Sequence, residues 1–450
     1  MENKITSVYF LGIGGIGMSA LAHYYKEQGA KVSGYDLTES PITQYLQNLG
    51  IDVVFEDDIS LLPEKIDMVI YTPAIPQDSK QLNELKNRNI PLFKRSQVLG
   101  EVTKNHKTIA ISGTHGKTTT TAIISNVYHN SKQGVNAFIG GVSLNFDSNY
   151  LFTSKNSPFV VEADEYDKSF LTLFPDIAVV TSMEADHLDI YNDANNLKDT
   201  FHEFFSQIKP NGTLVYKYGL EVKVSNIQAV SYSIESSEAD VFASNIRIED
   251  GSFHFDIYYK KENLGSFIFS FPGRHNLENA VAGIAVALVD GLSVADLKKG
   301  IGSFKGVKRR FEKILETENL LLIDDYAHHP TEVEAFLESI RKQYPGRKIT
   351  TIFQPHLYSR TQHFMDEFAE VLGKTDRLIL FDIYPARELP IDGINSTNLL
   401  KKVKLENKEM ANFKNIIDVL ESQSIDIVVV MGAGNIDRIV PQLKNHFETV

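Results

Sequence analysis

The feature that most limits the fold of this chain is the stretch SVYFLGIGGIGMSALAHYYKEQGAKVSGYD, residues 7–36. The apolar run SVYFLG is typical of a buried strand, GMSALAHYYKEQ has a helical pattern, and KVSGYD is a second strand-like run. Strands that alternate with helices in this way form parallel sheets covered by helices. We therefore expect an α/β fold that begins with the first residues.

The turn between the first strand and the helix has the spacing of a diphosphate-binding loop. Gly12, Gly14 and Gly17 follow the strand, and Asp36 ends the second strand at about the expected distance. Glycines let the backbone approach a pyrophosphate, and the helix N-terminus presents free N–H groups to it. The pattern favours phosphate binding over a plain tight turn. It does not say whether the ligand is a nicotinamide or flavin dinucleotide or a UDP-sugar, since all carry a diphosphate and a ribose.

A second glycine-rich turn, GTHGKTTT, follows the apolar strand TIAIS and opens another helix. Only two residues separate Gly113 from Gly116, whereas four residues separate the glycines of the usual P-loop. The physical requirements are nevertheless met, because backbone N–H groups surround phosphate oxygens, Lys117 neutralises their charge and the Thr118 hydroxyl can bind Mg²⁺. The turn therefore predicts a nucleoside triphosphate site. The alternative is a solvated Gly/Thr turn with an unrelated lysine.

Charge and composition exclude several classes of function. A formal net charge of -13 argues against binding to nucleic acid or to an anionic membrane, because both need a basic face. The chain has no cysteine, so any metal must be held by oxygen or imidazole, which favours Mg²⁺. The N-terminal residues lack a signal-peptide pattern, and no apolar run approaches the roughly 20 residues of a membrane span. We expect a cytoplasmic enzyme.

Three α/β blocks follow one another along the 450 residues, which exceed the roughly 250 to 300 residues that one core can hold. The pattern switches to alternating strands between residues 240 and 273, which indicates an antiparallel patch within the second block. The basic segment GSFKGVKRRF resembles a linker. We predict a Rossmann-like N-terminal domain, a central P-loop ATPase-like domain with the antiparallel patch and a Rossmann-like C-terminal domain. Their predicted ranges are 1–105, 106–308 and 309–450.

Polar residues at the ends of predicted strands are candidates for the chemistry, because open α/β sheets place their sites there. Glu162 ends the strand PFVVE and His187 follows IAVVTS, and both suit Mg²⁺, although imidazole is an unusual ligand for it. Asn276 and Asn279 share one helical face, where they could cap the helix or contact a nucleotide. The adjacent His328 and His329 point apart on an extended strand, so we do not expect a zinc site.

Eight motifs together resemble the Mur ligases, the ATP-dependent amide-forming enzymes that build the peptide of bacterial peptidoglycan. They are GTHGKTTT, EADEYDKSF, MEADHLDIY, PGRHNLENA, KRRF, DDYAHHPTEV, FQPHLYSRT and GAGNI. The pattern is most similar to the branch of the family that adds L-alanine. This resemblance implies that ATP phosphorylates the lactyl carboxylate of UDP-N-acetylmuramate, that L-alanine attacks the acyl phosphate, and that ADP and phosphate are released. One loop would then hold the UDP diphosphate and the other the ATP phosphates.

The resemblance also implies roles for individual residues. The UDP-sugar would be bound by Gly12, Gly14, Gly15, Gly17, Asp36 and Thr72. ATP would be bound by Gly113, Thr114, His115, Gly116, Lys117, Thr118, Thr119, His275, Asn276, Asn279, Arg310 and Asp325. The metal ligands would be Thr118, Glu162 and His187. The reaction itself would depend on Lys117, Glu162, His187, Arg310 and Asp325. The amino acid carboxylate would be held by His356 and Arg360.

Two alternatives stay open at this point. A recycling ligase of the same family adds a whole tripeptide to UDP-N-acetylmuramate, although the C-terminal motifs are more similar to the L-alanine branch. An NAD-dependent oxidoreductase would explain the first loop but would leave the second without a role. Five further acids near the second loop could tune the metal site or be ordinary solvated loop residues, and the second interpretation is favoured: Asp164, Glu165, Asp167, Glu184 and Asp186.

Overall fold

The computed structural model describes residues 5–184, 194–386 and 388–449. Its strands form three sheets, each with helices packed against it. The strands are β1 (Ser7–Leu11), β2 (Lys31–Tyr35), β3 (Asp52–Val54), β4 (Met68–Tyr71), β5 (Leu92–Lys94), β6 (Thr108–Ser112), β7 (Asn136–Ser143), β8 (Ser148–Phe152), β9 (Phe159–Glu162), β10 (Ile177–Val180), β11 (Thr213–Lys217), β12 (Gln228–Ser233), β13 (Val241–Glu249), β14 (Ser252–Tyr259), β15 (Glu262–Phe269), β16 (Glu312–Glu316), β17 (Leu321–Asp325), β18 (Ile349–Phe353), β19 (Arg377–Leu380), β20 (Lys408–Met410) and β21 (Ile427–Met431).

The helices alternate with the strands through most of the chain, as the sequence pattern predicts. They are α1 (Ile16–Glu27), α2 (Pro41–Asn48), α3 (Lys80–Asn87), α4 (Arg95–Thr103), α5 (Lys117–His129), α6 (Ala194–Ser206), α7 (Arg274–Val289), α8 (Val294–Gly302), α9 (Pro330–Gln343), α10 (Tyr358–His363), α11 (Met365–Leu372), α12 (Ser396–Lys402), α13 (Ile416–Glu421) and α14 (Val440–Thr449). No helix in these described ranges has both the length and the apolar character to cross a membrane.

The first sheet has five strands in the order β3-β2-β1-β4-β5, and all its pairs are parallel. All five residues of β1 are buried, because helices cover both faces of a parallel sheet and leave no face for polar side chains. The carboxyl ends of β1, β2 and β4 lie side by side. The first glycine loop therefore lies at the edge of the sheet where open α/β sheets bind their ligands.

The second sheet has ten strands in the order β15-β14-β13-β12-β11-β10-β6-β9-β7-β8. Its centre is parallel, and β6 is fully buried between β10 and β9. The strands β14 and β15 pair antiparallel, which confirms the predicted antiparallel patch. A second antiparallel pair, the hairpin of β7 and β8, lies at the opposite edge and is not predicted from the sequence pattern.

The third sheet has the order β16-β17-β21-β18-β19-β20, with β16 antiparallel to β17 and the other pairs parallel. The central strands β17, β21 and β18 are buried along their whole length. Because β21 is inserted between β17 and β18, the connections leave β17 and β18 on opposite sides of it. In open α/β sheets, a reversal of this kind places ligand sites at the carboxyl ends of the strands.

The chain packs as two compact units. The first contains Met1–Glu249, Phe253–Ser270 and Glu278–Lys305, and so holds the first two sheets. The second contains Asp250–Ser252, Phe271–Leu277 and Gly306–Val450, and holds the third sheet. The three-domain α/β architecture is confirmed, whereas the domain boundaries at residues 105 and 308 stay predictions.

Candidate active site

The second glycine loop connects β6 to α5 and requires glycine at two positions. Gly113 and Gly116 have φ values of +131° and +83°, in the region that disfavours side chains. A Cβ on Gly113 would lie 2.1 Å from Thr181 Oγ1, and a Cβ on Gly116 would lie 2.6 Å from Asn279 Oδ1. The backbone can therefore follow this path only if these two positions carry no side chain.

Residues that follow β10 hold the same loop from outside. The Thr114 hydroxyl donates to the Glu184 carbonyl oxygen at 2.9 Å, and the His115 N–H donates to Ser182 Oγ at 2.9 Å. The Thr181 hydroxyl donates to the His115 carbonyl oxygen at 2.5 Å. These bonds fix the loop before a ligand binds, so little conformational entropy is lost on binding. Thr119, in the first turn of α5, is buried.

Lys117 pairs with a carboxylate that sequence analysis placed among the solvated acids. Its ammonium donates to both carboxylate oxygens of Glu165 at 2.8 Å and to the Gly113 carbonyl oxygen at 2.8 Å. The Glu165 side chain is 1% exposed, so the expectation that it is a solvated residue is wrong. Burial lowers the pKa of Lys117, but the charges of Glu165 and Asp164 and the bond to Glu165 outweigh it and raise the pKa. Lys117 is therefore positively charged at neutral pH.

Two of the three predicted metal ligands lie together beside this lysine. Glu162 ends β9 in register with Ile111, next to the start of the loop, and its carboxylate accepts the Gly140 N–H at 2.7 Å. Burial raises the pKa of Glu162, and the opposing effects of the Gly140 bond, the Lys117 charge and the Thr118 hydroxyl are weaker. A divalent cation next to this carboxylate would lower its pKa again.

The donor set fits a hard cation, because Thr118 and Glu162 both supply oxygen. The third predicted ligand, His187, lies outside the described residues, as does Asp186. The side chain of Asp167 is not described either. Gly140 has no place in the sequence prediction, yet a Cβ there would lie 2.3 Å from Glu162 Oε2. No pattern around Gly140 marks it, since its role depends on how β7 and β9 pair.

The first glycine loop is closed by two of its predicted partners. The Gly14 N–H donates to Asp36 Oδ2 at 2.8 Å, and a Cβ on Gly12 would lie 2.6 Å from Thr72 Cγ2. Gly15 precedes α1 and, as a glycine, supplies no side-chain cap to the first N–H groups of the helix. Asp36 thus braces the loop, and its contact with a ribose stays a prediction.

Arg95 is a cation at this loop that sequence analysis does not identify. It begins α4, and its Cδ and its guanidinium Nη1 would both lie 3.0 Å from a Cβ on Gly17. Its Nη2 lies 4.0 Å from Asp164 Oδ2. The arginine therefore lies between the first glycine loop and the acidic segment that follows β9. The sequence offers no spacing that would identify it, because α4 and α1 meet only in the folded sheet.

The two asparagines of α7 have different surroundings. The Asn276 amide donates to the Pro272 carbonyl oxygen at 2.6 Å and so fixes the turn before the helix. Asn279 packs on Gly116 of the second glycine loop and is buried. His275 has an exposed side chain. Asn279 is thus placed beside the loop, while nucleotide contacts of Asn276 and His275 stay predictions.

In the second unit, Asp325 is held by backbone at the end of β17. It accepts the N–H groups of Phe311 and Ala327, each at 2.7 Å. Burial raises its pKa to about 6, against the lowering effect of the Arg310 charge and these bonds. The Arg310 guanidinium lies 5.0 Å from the ring centre of Tyr326. Asp325 and Arg310 thus lie close enough to interact electrostatically, while their contacts with a nucleotide stay predictions.

Arg309, for which the sequence predicts no role, holds the turn that follows β21. Its guanidinium donates to the Gly432 carbonyl oxygen at 2.5 Å, and it lies 3.7 Å from Asp324 Oδ2. Burial raises the pKa of Asp324 to about 8, although the Arg309 charge opposes this. The buried Gln354 lies against the same turn, 2.5 Å from a Cβ on Gly434. The GAGN segment is therefore a tight turn anchored by an arginine.

The predicted amino acid site brings His356 and Arg360 into contact. The Arg360 Nη1 donates to His356 Nδ1 at 3.2 Å, which leaves the imidazole proton on Nε2. The Tyr384 ring stacks on the imidazole at 5.7 Å, and the His328 ring lies 6.1 Å away. Burial, His328 and Arg360 lower the pKa of His356 to about 4, so the ring is neutral at physiological pH.

The fold and these two loops are typical of an α/β enzyme with phosphate-binding loops on separate sheets. Family models agree: the catalytic domain of the Mur ligase family matches residues 7–107, the Mur ligase middle domain matches 111–287, and the glutamate ligase domain matches 309–434. The chain belongs to the Mur ligase family.

Named relatives extend over nearly the whole chain. The UDP-N-acetylmuramate--L-alanine ligase of Porphyromonas gingivalis is 45% identical over 452 residues, which cover 98% of this chain and 99% of the relative. The UDP-N-acetylmuramate-alanine ligase of Thermotoga maritima shares the fold with a TM-score of 0.85 at 24% identity, covering 98% and 99% of the two chains. A murein peptide ligase of Psychrobacter arcticus has a TM-score of 0.76 at 23% identity, covering 99% of both.

Proposed function

We propose that this chain is an ATP-dependent ligase that joins L-alanine to the lactyl carboxylate of UDP-N-acetylmuramate, releasing ADP and phosphate in peptidoglycan precursor synthesis. The observation that carries this function is the 45% identity to a ligase of that name over 98% of the chain. The two phosphate loops on separate sheets supply the physical reason. One enzyme needs both because it binds two different diphosphate-bearing substrates.

The second loop is the proposed ATP site. Amide formation needs an activated carboxylate, and phosphoryl transfer is driven by positioning and by neutralisation of charge. Lys117, at the start of α5, is the cation for this task, and the N–H groups of the loop would hold the phosphate oxygens. Asn279 borders the loop, and His275 and Asn276 are proposed nucleotide contacts. In the second unit, Arg310 is the proposed cation for the ATP phosphates and Asp325 the acid that orients the nucleotide.

ATP dependence implies a divalent metal, and we propose Mg²⁺. Thr118 and Glu162 would hold it. His187 would either bind the metal directly or contact its ligands or the phosphate. When bound, Mg²⁺ would neutralise charge on the transferring phosphoryl group. Gly140 supports this arrangement, because its N–H donates to one oxygen of Glu162 at 2.7 Å and so orients the carboxylate. The residues of the loop then bind the phosphates and exclude water from the reacting carboxylate.

We propose that the first loop binds the UDP-sugar diphosphate through Gly12, Gly14, Gly15 and Gly17. Asp36 and Thr72 close the loop behind it. For the amino acid we propose His356 and Arg360. A guanidinium suits a carboxylate, and the neutral imidazole fixes its direction without adding charge. The domain ranges 1–105, 106–308 and 309–450 would then bind UDP-sugar, ATP and amino acid, respectively. We place the enzyme in the cytoplasm, where ATP and UDP-sugars are found.

Substrate competition tests this function. Released ADP is measured with UDP-N-acetylmuramate, ATP and Mg²⁺, and either L-alanine or L-alanyl-γ-D-glutamyl-diaminopimelate. We expect activity with L-alanine and little with the tripeptide. Glycine should react roughly 10- to 200-fold less efficiently, because it forfeits the burial of one methyl group. Activity with the tripeptide alone would make the chain a recycling ligase, and binding of NAD without binding of UDP-sugar would make it an oxidoreductase.

A further inference from the structure

The ammonium of Lys117 is bound entirely by the protein in this structure. A lysine ammonium has three donors. Here it lies 2.8 Å from each oxygen of Glu165 and from the Gly113 carbonyl oxygen, with the Thr114 carbonyl oxygen at 3.4 Å. The lysine side chain is only 16% exposed. The ammonium is thus turned back onto its own loop and onto one buried carboxylate.

A phosphate in the loop would need these same donors. Phosphate oxygens and the Glu165 carboxylate are both anions, and in a buried site one ammonium cannot satisfy both fully, while the two anions repel each other. The backbone of Glu165 is fixed, because it caps the 3₁₀ helix Tyr166–Thr172 and its carbonyl oxygen accepts the Lys168 N–H at 2.9 Å. Rotation of the Glu165 side chain alone would release the lysine.

We propose that Glu165 is a positioning residue that competes with the nucleotide phosphates for the Lys117 ammonium. It keeps the buried lysine paired before ATP binds, yields it to the phosphates on binding, and takes it back as ADP leaves. The inference rests on the proposed ATP site at the Gly113 loop. Its consequence is that Glu165 weakens nucleotide binding and so speeds product release.

If Glu165 had only a structural role, removal of its charge would have the opposite effect on nucleotide affinity. If the carboxylate only holds Lys117 in the place where phosphate meets it, removing its charge misplaces the lysine and weakens nucleotide binding. If it competes, removing its charge strengthens binding. Glu165→Gln separates the two, because glutamine has the same shape and can still accept one hydrogen bond from the ammonium.

The experiment is calorimetric titration of ADP, without divalent cation, into the full chain and three variants. We expect Glu165→Gln to bind ADP at least about tenfold more tightly than the wild type. Glu165→Asp keeps the charge on a shorter side chain. Its affinity for ADP should lie between those of the wild type and Glu165→Gln. Glu184→Gln is the control, since it removes a charge near the same loop from a side chain that is 61% exposed. It should change the affinity by less than about fivefold.

The KM for ATP supplies a second measure. It should fall in Glu165→Gln, while kcat does not rise because ADP leaves more slowly. Equal or weaker ADP binding by a folded Glu165→Gln overturns the inference. If only the Glu165→Asp variant folds, the absence of any tightening overturns it. A wild type that binds no ADP would instead contradict the ATP site itself, so the two failures are distinguishable.

Discussion

At the scale of residues, Lys117 carries the largest expected contribution to the reaction. Its substitution by alanine removes the positive charge next to the transferring phosphoryl group and leaves the buried Glu165 without it. We expect Lys117→Ala to lower kcat by roughly 10² or more while UDP-sugar affinity stays unchanged. Lys107→Ala is the matched control, because Lys107 lies next to β6, away from the loop, and pairs with Asp290. Near-normal turnover of Lys117→Ala would show that the loop is not the ATP site.

Glu162 provides a test of the proposed metal site. In Glu162→Gln the shape of the side chain and the bond from Gly140 are kept, but the charge that attracts the cation is lost. The Mg²⁺ concentration for half-maximal activity should rise about 10- to 100-fold, while the affinity for UDP-N-acetylmuramate stays the same. Calorimetry with the UDP-sugar is the control. A parallel loss of UDP-sugar binding would point to misfolding rather than to a metal ligand.

The lowered pKa of His356 predicts that the stability of the protein depends on pH. Its pKa is about 4 in the folded protein and near 6.5 unfolded, so the unfolded state binds a proton first as pH falls. The contribution of His356 is therefore fully present above about pH 6.5 and is lost progressively towards pH 4. We expect His356→Asn, whose side chain cannot be charged, to lose less stability over this window than the wild type in urea unfolding. Equal losses in both proteins would contradict the pKa shift.

At the scale of elements, Asn149 joins the first helix to the second sheet. Its buried amide donates to the Ile16 carbonyl oxygen at 2.6 Å and to Ser19 Oγ at 2.9 Å, so β8 holds the helix that opens at the first glycine loop. Asn149→Ala removes both of these buried hydrogen bonds, although the Ser19 hydroxyl still donates to the Ile16 carbonyl oxygen at 2.9 Å. We expect the free energy of unfolding to fall by about 1 to 3 kcal/mol.

The exposed Asn156, in the turn after β8, is the control for this prediction. Asn156→Ala should change the free energy of unfolding by less than about 0.5 kcal/mol, because no buried bond depends on its side chain. Denaturant unfolding of both variants measures the difference. Equal effects of the two substitutions would mean that Asn149 does not connect α1 and β8.

The sequence predicts where helices, strands and loops form better than it predicts which of them lie side by side in the fold. Both glycine loops, their strands and helices and the antiparallel patch follow from local pattern, because glycine spacing and apolar periodicity are properties of one segment. Arg95 and Gly140 carry no local signal, and nothing distinguishes Glu165 from the neighbouring acids, since each acts on a residue that only strand order brings near. The hairpin of β7 and β8 was missed for the same reason. The charge of Lys117 was predicted, but its buried partner was not.

At the scale of the whole molecule, the central claim is that ATP activates the lactyl carboxylate before L-alanine attacks. The most direct test uses UDP-N-acetylmuramate with ¹⁸O in that carboxylate, incubated with ATP, Mg²⁺ and L-alanine. An acyl phosphate transfers one carboxylate oxygen to the phosphoryl group, so mass spectrometry should find one ¹⁸O atom in each inorganic phosphate released. Phosphate without ¹⁸O, formed together with the amide product, would contradict the account.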